Sequence, residues 1–111
     1  MARDNWHILQ EDGALTVARR VPVRFDLSVE TYLQAHGRLR IAHQVRQDMW
    51  RALKGLRGFA PAVRVEACDG ALRVTAGGQV DGAVPKAQAE ARIAQVLENP
   101  ANRARWQRWA S

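Results

Sequence analysis

His43–Leu56, HQVRQDMWRALKGL, is the stretch whose reading decides the fold. At 3.6 residues per turn, with a helix beginning near Leu39, the side chains of Ile41, Ala42, Val45, Met49, Ala52, Leu53 and Leu56 share one face. Arg40, Gln44, Gln47, Arg51 and Lys54 take the opposite side. One flank departs from this division: His43, Arg46, Trp50, Lys54 and Arg57 form a stripe in which an indole sits among basic groups. A helix with one apolar face must bury it against other elements, and the flanking sequence supplies strands.

Upstream, Trp6–Gln10 and Ala14–Val17 flank Glu11-Asp12-Gly13, which predicts a β-hairpin. Asp-Gly provides the positive φ that a tight turn requires. Leu15, Val17, Val21, Val23, Phe25, Leu27 and Val29 then occupy alternate positions, broken by Arg19, the pattern of a strand with one wet face. Pro22 cannot donate to a ladder and marks an edge, a bulge or a break into two strands. Asp26 and Ser28 are candidate helix caps, so a first helical turn or two is expected over VETYLQAH, with Gly37 bending the helix or opening a loop before Leu39.

Downstream, Gly55, Gly58 and Pro61 stop the helix. Ala62–Cys68, Asp69-Gly70 and Ala71–Ala76 predict a second hairpin. The stretch Asp69–Val74 echoes Asp12–Val17, either as a duplicated ββα unit or because hairpins share this chemistry. Residues Gly77–Gly82 are expected to form a connecting loop. They lack the Lys-Ser/Thr or the glycine spacing of a phosphate loop. Pro85 suits the first turn of a helix reaching about Glu98, with Ala89, Ile93 and Val96 as its apolar stripe. Asn99-Pro100 would open a last short helix over Ala101–Ala110 or kink the one before.

The expected fold is therefore α+β, in ββαββα order, over residues 1–111 as a single domain. Two hairpins form one antiparallel sheet of four or five strands, with the long helix and a C-terminal helix on one face. A chain of 111 residues can bury one modest core, and its 47% hydrophobic and 25% charged composition is that of a globular protein.

Lys+Arg 17 against Asp+Glu 11 gives a formal charge of +6, which attracts polyanions. All the cations except Lys54 and Lys86 are arginines, and alanine is abundant. GC-rich coding favours both residues, so composition alone does not make the basic surface functional. Cys68 stands alone, which excludes a disulfide framework and a four-thiolate zinc site, and it reads as a small packed side chain. No run approaches the length of a membrane span, and MARDNWHILQEDG has no apolar signal segment, so a soluble cytoplasmic protein is expected.

Catalytic constellations are absent from the sequence. His36 and His43, if helical, lie two turns apart, too far to share a metal. No H-x-x-x-H, C-x-x-C or nucleophile elbow occurs, and the acids near the hairpin turns suit turn chemistry. Neither an enzyme nor a cofactor is expected.

Two aromatic-and-basic segments remain as candidate contact residues: His43, Arg46, Trp50, Arg51, Lys54 and Arg57 on the long helix, and Arg105, Trp106 and Arg108 in the tail. Each has two readings. The rings could stack on or anchor an anionic partner while the cations meet its phosphates or carboxylates. Alternatively, Trp50 covers the sheet edge or the C-terminal helix with the arginine stems over the same surface, and Trp106 with Trp109 docks the last helix onto the sheet while its arginines stay solvated. The expected function is a small basic binding module for nucleic acid or an acidic protein, with Arg19, Arg20 and Arg24 adding charge from the strand. The alternative is a protein–protein adaptor or homodimer using the Trp/Arg stripe.

Overall fold

The computed structural model describes residues 6–34 and 37–110, apart from the side chains of Trp109 and Ala110. His36 and the Trp109 ring, both weighed above, lie outside the described residues. In chain order the elements are β1 (His7–Glu11), β2 (Ala14–Ala18), β3 (Leu27–Leu33), α1 (Arg38–Leu53), β4 (Phe59–Cys68), β5 (Ala71–Val80), α2 (Lys86–Glu98) and α3 (Pro100–Ala110). The strands form one five-stranded antiparallel sheet in the order β1-β2-β4-β5-β3.

Both Asp-Gly hairpins form as their turn chemistry requires. Asp12 and Asp69 take φ of 42° and 50°, each followed by glycine at 80°, the paired positive values of a tight primed turn. The resemblance between the hairpins goes no further. β3 intervenes after the first one and pairs along β5 on the far side of the sheet, so the chain is not a duplicated ββα unit.

The long alternating run of the first half resolves at Pro22 into two strands. β2 ends at Ala18, and residues 19–26 cross the end of the sheet, where β4 begins and β5 ends, before β3 starts at Leu27. Arg19 N–H donates to the Pro61 carbonyl (3.0 Å), and Val80 N–H donates to the Asp26 carboxylate (2.9 Å), fastening both ends of the crossing. Of the residues expected to be helical over VETYLQAH, Val29–Leu33 belong instead to β3. Leu27, Thr31 and Leu33 are buried and Ser28, Glu30 and Tyr32 exposed, so the period of two continues to Leu33. Gly37, at φ 70°, caps the start of α1, and its carbonyl accepts the first helical bond, from Ile41 (3.1 Å).

The loop expected over Gly77–Gly82 begins later. β5 runs to Val80, and its two glycines are structural: a Cβ on Gly77 would fall 1.8 Å from the Leu27 carbonyl oxygen, and one on Gly78 2.2 Å from that of Ala60. Only hydrogen fits where three strands approach this closely.

Leu15, Val17, Val63, Val65, Val74 and Ala76 line the helix-covered face of the sheet. They join Ile41, Val45, Met49 and Leu53 of α1, Ile93 and Leu97 of α2, and Trp106 of α3 in one core. On α2 the buried residues are Ala89, Ile93 and Leu97, and Val96, expected in the inner stripe, packs at the margin. Asn99 caps α3, its Oδ1 accepting from the N–H groups of Ala101 (2.9 Å) and Asn102 (3.1 Å). On the opposite sheet face Ala14, Thr16, Ala18, Ala62 and Thr75 are buried, and Glu66 accepts from Arg73 across β4 and β5 (2.7 Å). No described helix is long and apolar enough to cross a membrane.

Candidate anion-binding site

The stripe on α1 faces the end of the sheet where β1 and β4 begin and β2 ends. Trp6 and Ile8 project to the helix side of β1, since Ile8 pairs with the core residue Val17. That register carries the Trp6 ring alongside α1. Arg46, one turn before Trp50, reaches back over it, with its guanidinium carbon 4.4 Å from the Trp6 ring centroid. Arg19, the first residue past β2, places its own guanidinium carbon 5.5 Å from the same ring. Trp6 therefore holds two cations, both within the ~6 Å reach of the ring quadrupole.

These groups border a concave notch of about 340 Å³. Its floor is the opening of β4, Phe59, Ala60 and Pro61, and Trp50 and Arg20 complete its rim. Trp50 leaves 43% of its surface in solvent. Arg20 is held in place by Asp81 (2.8 Å). Asp81 lies just past β5 and receives a further bond from Gln79 (3.1 Å).

The electrostatics of the notch are one-sided. Among the described residues, no carboxylate lies within ion-pair distance of Arg19 or Arg46. Among the described residues, the polar side-chain contact of Arg46 is its Nε–H donating to His43 Nδ1 at 3.4 Å. Partial burial, followed by the charge of Arg19, pushes the Arg46 guanidinium below its ordinary pKa. It nevertheless stays protonated at neutral pH, because an arginine begins so far above it. Two cations are thus packed on one ring at a cost that an arriving anion would relieve. Their planar forks suit a phosphate or carboxylate, and the exposed indole of Trp50 offers a flat apolar face beside them.

The other sequence-predicted residues are placed elsewhere. Arg51 lies on the outer side of α1, 3.7 Å from Asp48, and Lys54 and Arg57 are exposed at the end of the helix, beyond the notch. In the tail Trp106 follows the packing reading, but Arg103 and Arg105, expected to stay solvated, are drawn into side-chain and backbone contacts. Trp106 is fully buried, which removes it from any contact surface, and its Nε1–H donates to Asp48 Oδ2 (2.7 Å). Arg105 pairs with the same carboxylate and also donates to Asn102 (3.2 Å). Arg103 donates to Thr31 (2.7 Å) and to the carbonyls of Leu97 (3.1 Å) and Tyr32 (2.5 Å). These side chains dock α3 onto α1 and β3. Arg108 is exposed on α3, away from the notch.

Two contributors escaped the sequence reading. The sequence places Trp6 only in a hairpin, marks Pro61 only as a helix stop and gives Phe59 and Ala60 no role. Arg19 did leave a trace, as the one cation at an odd position in an otherwise apolar alternation. No three described His, Cys, Asp or Glu side chains gather in a metal-ligating group. Cys68 is a free, half-buried thiol. Comparison with protein-family models, curated proteins and solved structures finds no match to this chain.

Proposed function

We propose that this protein is a small non-enzymatic binding module for an anionic partner, nucleic acid in preference to acidic protein. It would engage that partner through the notch formed by Trp6, Arg19, Arg46 and Trp50. The observation that carries this reading is the pair of guanidiniums on the Trp6 ring with no carboxylate in reach among the described residues. Arg73 and Arg105, by contrast, pair with Glu66 and Asp48. Nucleic acid is preferred because it offers both phosphates for the forks and flat bases for the indole.

The test is binding of a fluorescent oligonucleotide followed by anisotropy across a salt series. Affinity should fall steeply between about 50 and 200 mM salt, and Arg19→Ala or Arg46→Ala should each flatten the salt slope by a fraction of a unit to about one. Absence of a shift with any DNA or RNA at low salt removes the nucleic-acid reading.

The runner-up is an interface between proteins, including two copies of this chain. It is favoured by exposed large apolar groups: Trp50 at the notch, Leu39 on α1 and Ile8 on the edge strand β1. Such an interface would depend on Trp50 and respond weakly to salt.

A further inference from the structure

We infer that the notch is built for single-stranded nucleic acid, taking one unpaired base against Trp50 with its flanking phosphate on Arg19 and Arg46. This rests on the anion-binding reading above and specifies its substrate class.

The shape of the site carries the inference. A volume of about 340 Å³ lies at the small end of ligand pockets, which span roughly 300–1,000 Å³, and suits a base with its sugar better than any larger group. The chemistry is divided in the same proportion. Trp50 and the Phe59-Ala60-Pro61 floor form an apolar wall, and Arg19 and Arg46 form a cationic one. Duplex nucleic acid cannot use such a notch, since the faces of its bases are covered by their neighbours. It offers an indole only its groove edges and phosphates. An unpaired base has a free π-face, and stacking on an aromatic side chain is tolerant of sequence because every base has one.

Placement of the cations supports the same class. The two guanidinium carbons lie 4.4 and 5.5 Å from the Trp6 ring centroid, and among the described residues Arg46 donates only its Nε–H, to His43, which leaves its terminal N–H groups for a phosphate. Arg20, anchored by Asp81 at the rim, lies where the backbone of a strand leaving the notch would pass. A free nucleotide has the same base and phosphate, so the comparison must separate the two sources.

The experiment measures anisotropy of a labelled oligothymidylate at low salt against its duplex of equal length, with thymidine monophosphate as competitor. It uses the intact chain together with Trp50→Ala and Trp50→Phe. The single strand is expected to bind at least about tenfold more tightly than the duplex. Trp50→Ala should lose about five- to a hundredfold on the single strand, the range for one stacked base, and change duplex affinity by less than about twofold. Trp50→Phe should recover most of the loss. The monophosphate should compete far more weakly than an unlabelled oligomer.

Equal affinity for single strand and duplex overturns the inference and leaves the anion-binding reading standing. Retention of single-strand affinity in Trp50→Ala also overturns it. A monophosphate that competes as well as the oligomer reassigns the notch to free nucleotides and overturns it too. Failure to bind either nucleic acid removes both this inference and the reading beneath it.

Discussion

The guanidinium carbon of Arg46 lies 4.4 Å from the ring centroid of Trp6, joining α1 to the residue that leads into β1. Arg19 shares the ring at 5.5 Å, so the contact also holds two like charges near one another. Cation–π attraction contributes about 0.5–2 kcal/mol, and the repulsion and partial burial of Arg46 oppose it. Arg46→Gln is therefore expected to leave unfolding free energy within about 1 kcal/mol of the parent, while anion affinity falls several-fold. Urea denaturation beside a binding titration checks both. A large stability loss would mean that Arg46 serves packing instead.

Asp48 has the opposite character. Its carboxylate is 12% exposed, accepts the Trp106 indole N–H and pairs with Arg105. Asp48→Ala strands a buried donor and leaves Arg105 without its carboxylate, with an expected loss of about 2–3 kcal/mol. Asp48→Asn keeps an acceptor and should lose about half as much. Urea midpoints at constant m-value give both numbers.

Gly77 gives the sharpest steric prediction. A methyl group there meets the Leu27 carbonyl oxygen at 1.8 Å, so Gly77→Ala must push β3 away from β5. The expected cost is at least about 3 kcal/mol, with amide hydrogen exchange accelerated first along Leu27–Leu33. Gly70→Ala is the control for space. A Cβ there meets nothing within 4 Å, and its φ of 80° leaves only the conformational cost of about 1 kcal/mol.

Asp26 predicts an acid-sensitive fastening. The Val80 backbone N–H, followed by the Arg24 guanidinium (2.8 Å), holds its carboxyl below the usual carboxylate range. Its contribution is therefore complete above the unfolded-state value near about pH 4 and is lost as pH falls through the lower native value. The stability difference between the parent and Asp26→Asn should be constant near neutrality and shrink below about pH 4. A difference that grows on acidification would contradict the assignment.

The legible parts of this fold were those set by local chemistry. The buried face of α1 follows directly from its period, and Asp12-Gly13 and Asp69-Gly70 mark both hairpins because tight turns need positive φ. β3 was obscured at Thr31, a hydroxyl on the inner face. It suits that position because Arg103 donates to it and it donates to Glu98 (3.0 Å), partners some seventy residues away. Gly77 and Gly78 read as loop residues because the strands that crowd them are equally remote in sequence. The notch was half visible for the same reason. Arg46 and Trp50 share one helix flank and were found together, whereas Trp6 reaches them only through the β1–β2 register. In the tail, the alternation of arginine and tryptophan looked like a contact surface, yet Asp48 and the backbone carbonyls account for Arg103, Arg105 and Trp106.

The most direct measurement is an indole N–H chemical-shift titration of the ¹⁵N-labelled protein with a short oligothymidylate, with resonances assigned by single tryptophan substitutions. Trp6 and Trp50 border the notch, and Trp106 is buried with its N–H on Asp48. The expected result is saturable movement of the Trp6 and Trp50 signals at low salt, reversed by added salt, with Trp106 unmoved. Binding that leaves Trp6 and Trp50 in place, or moves Trp106 as much as they move, would contradict a site at the notch.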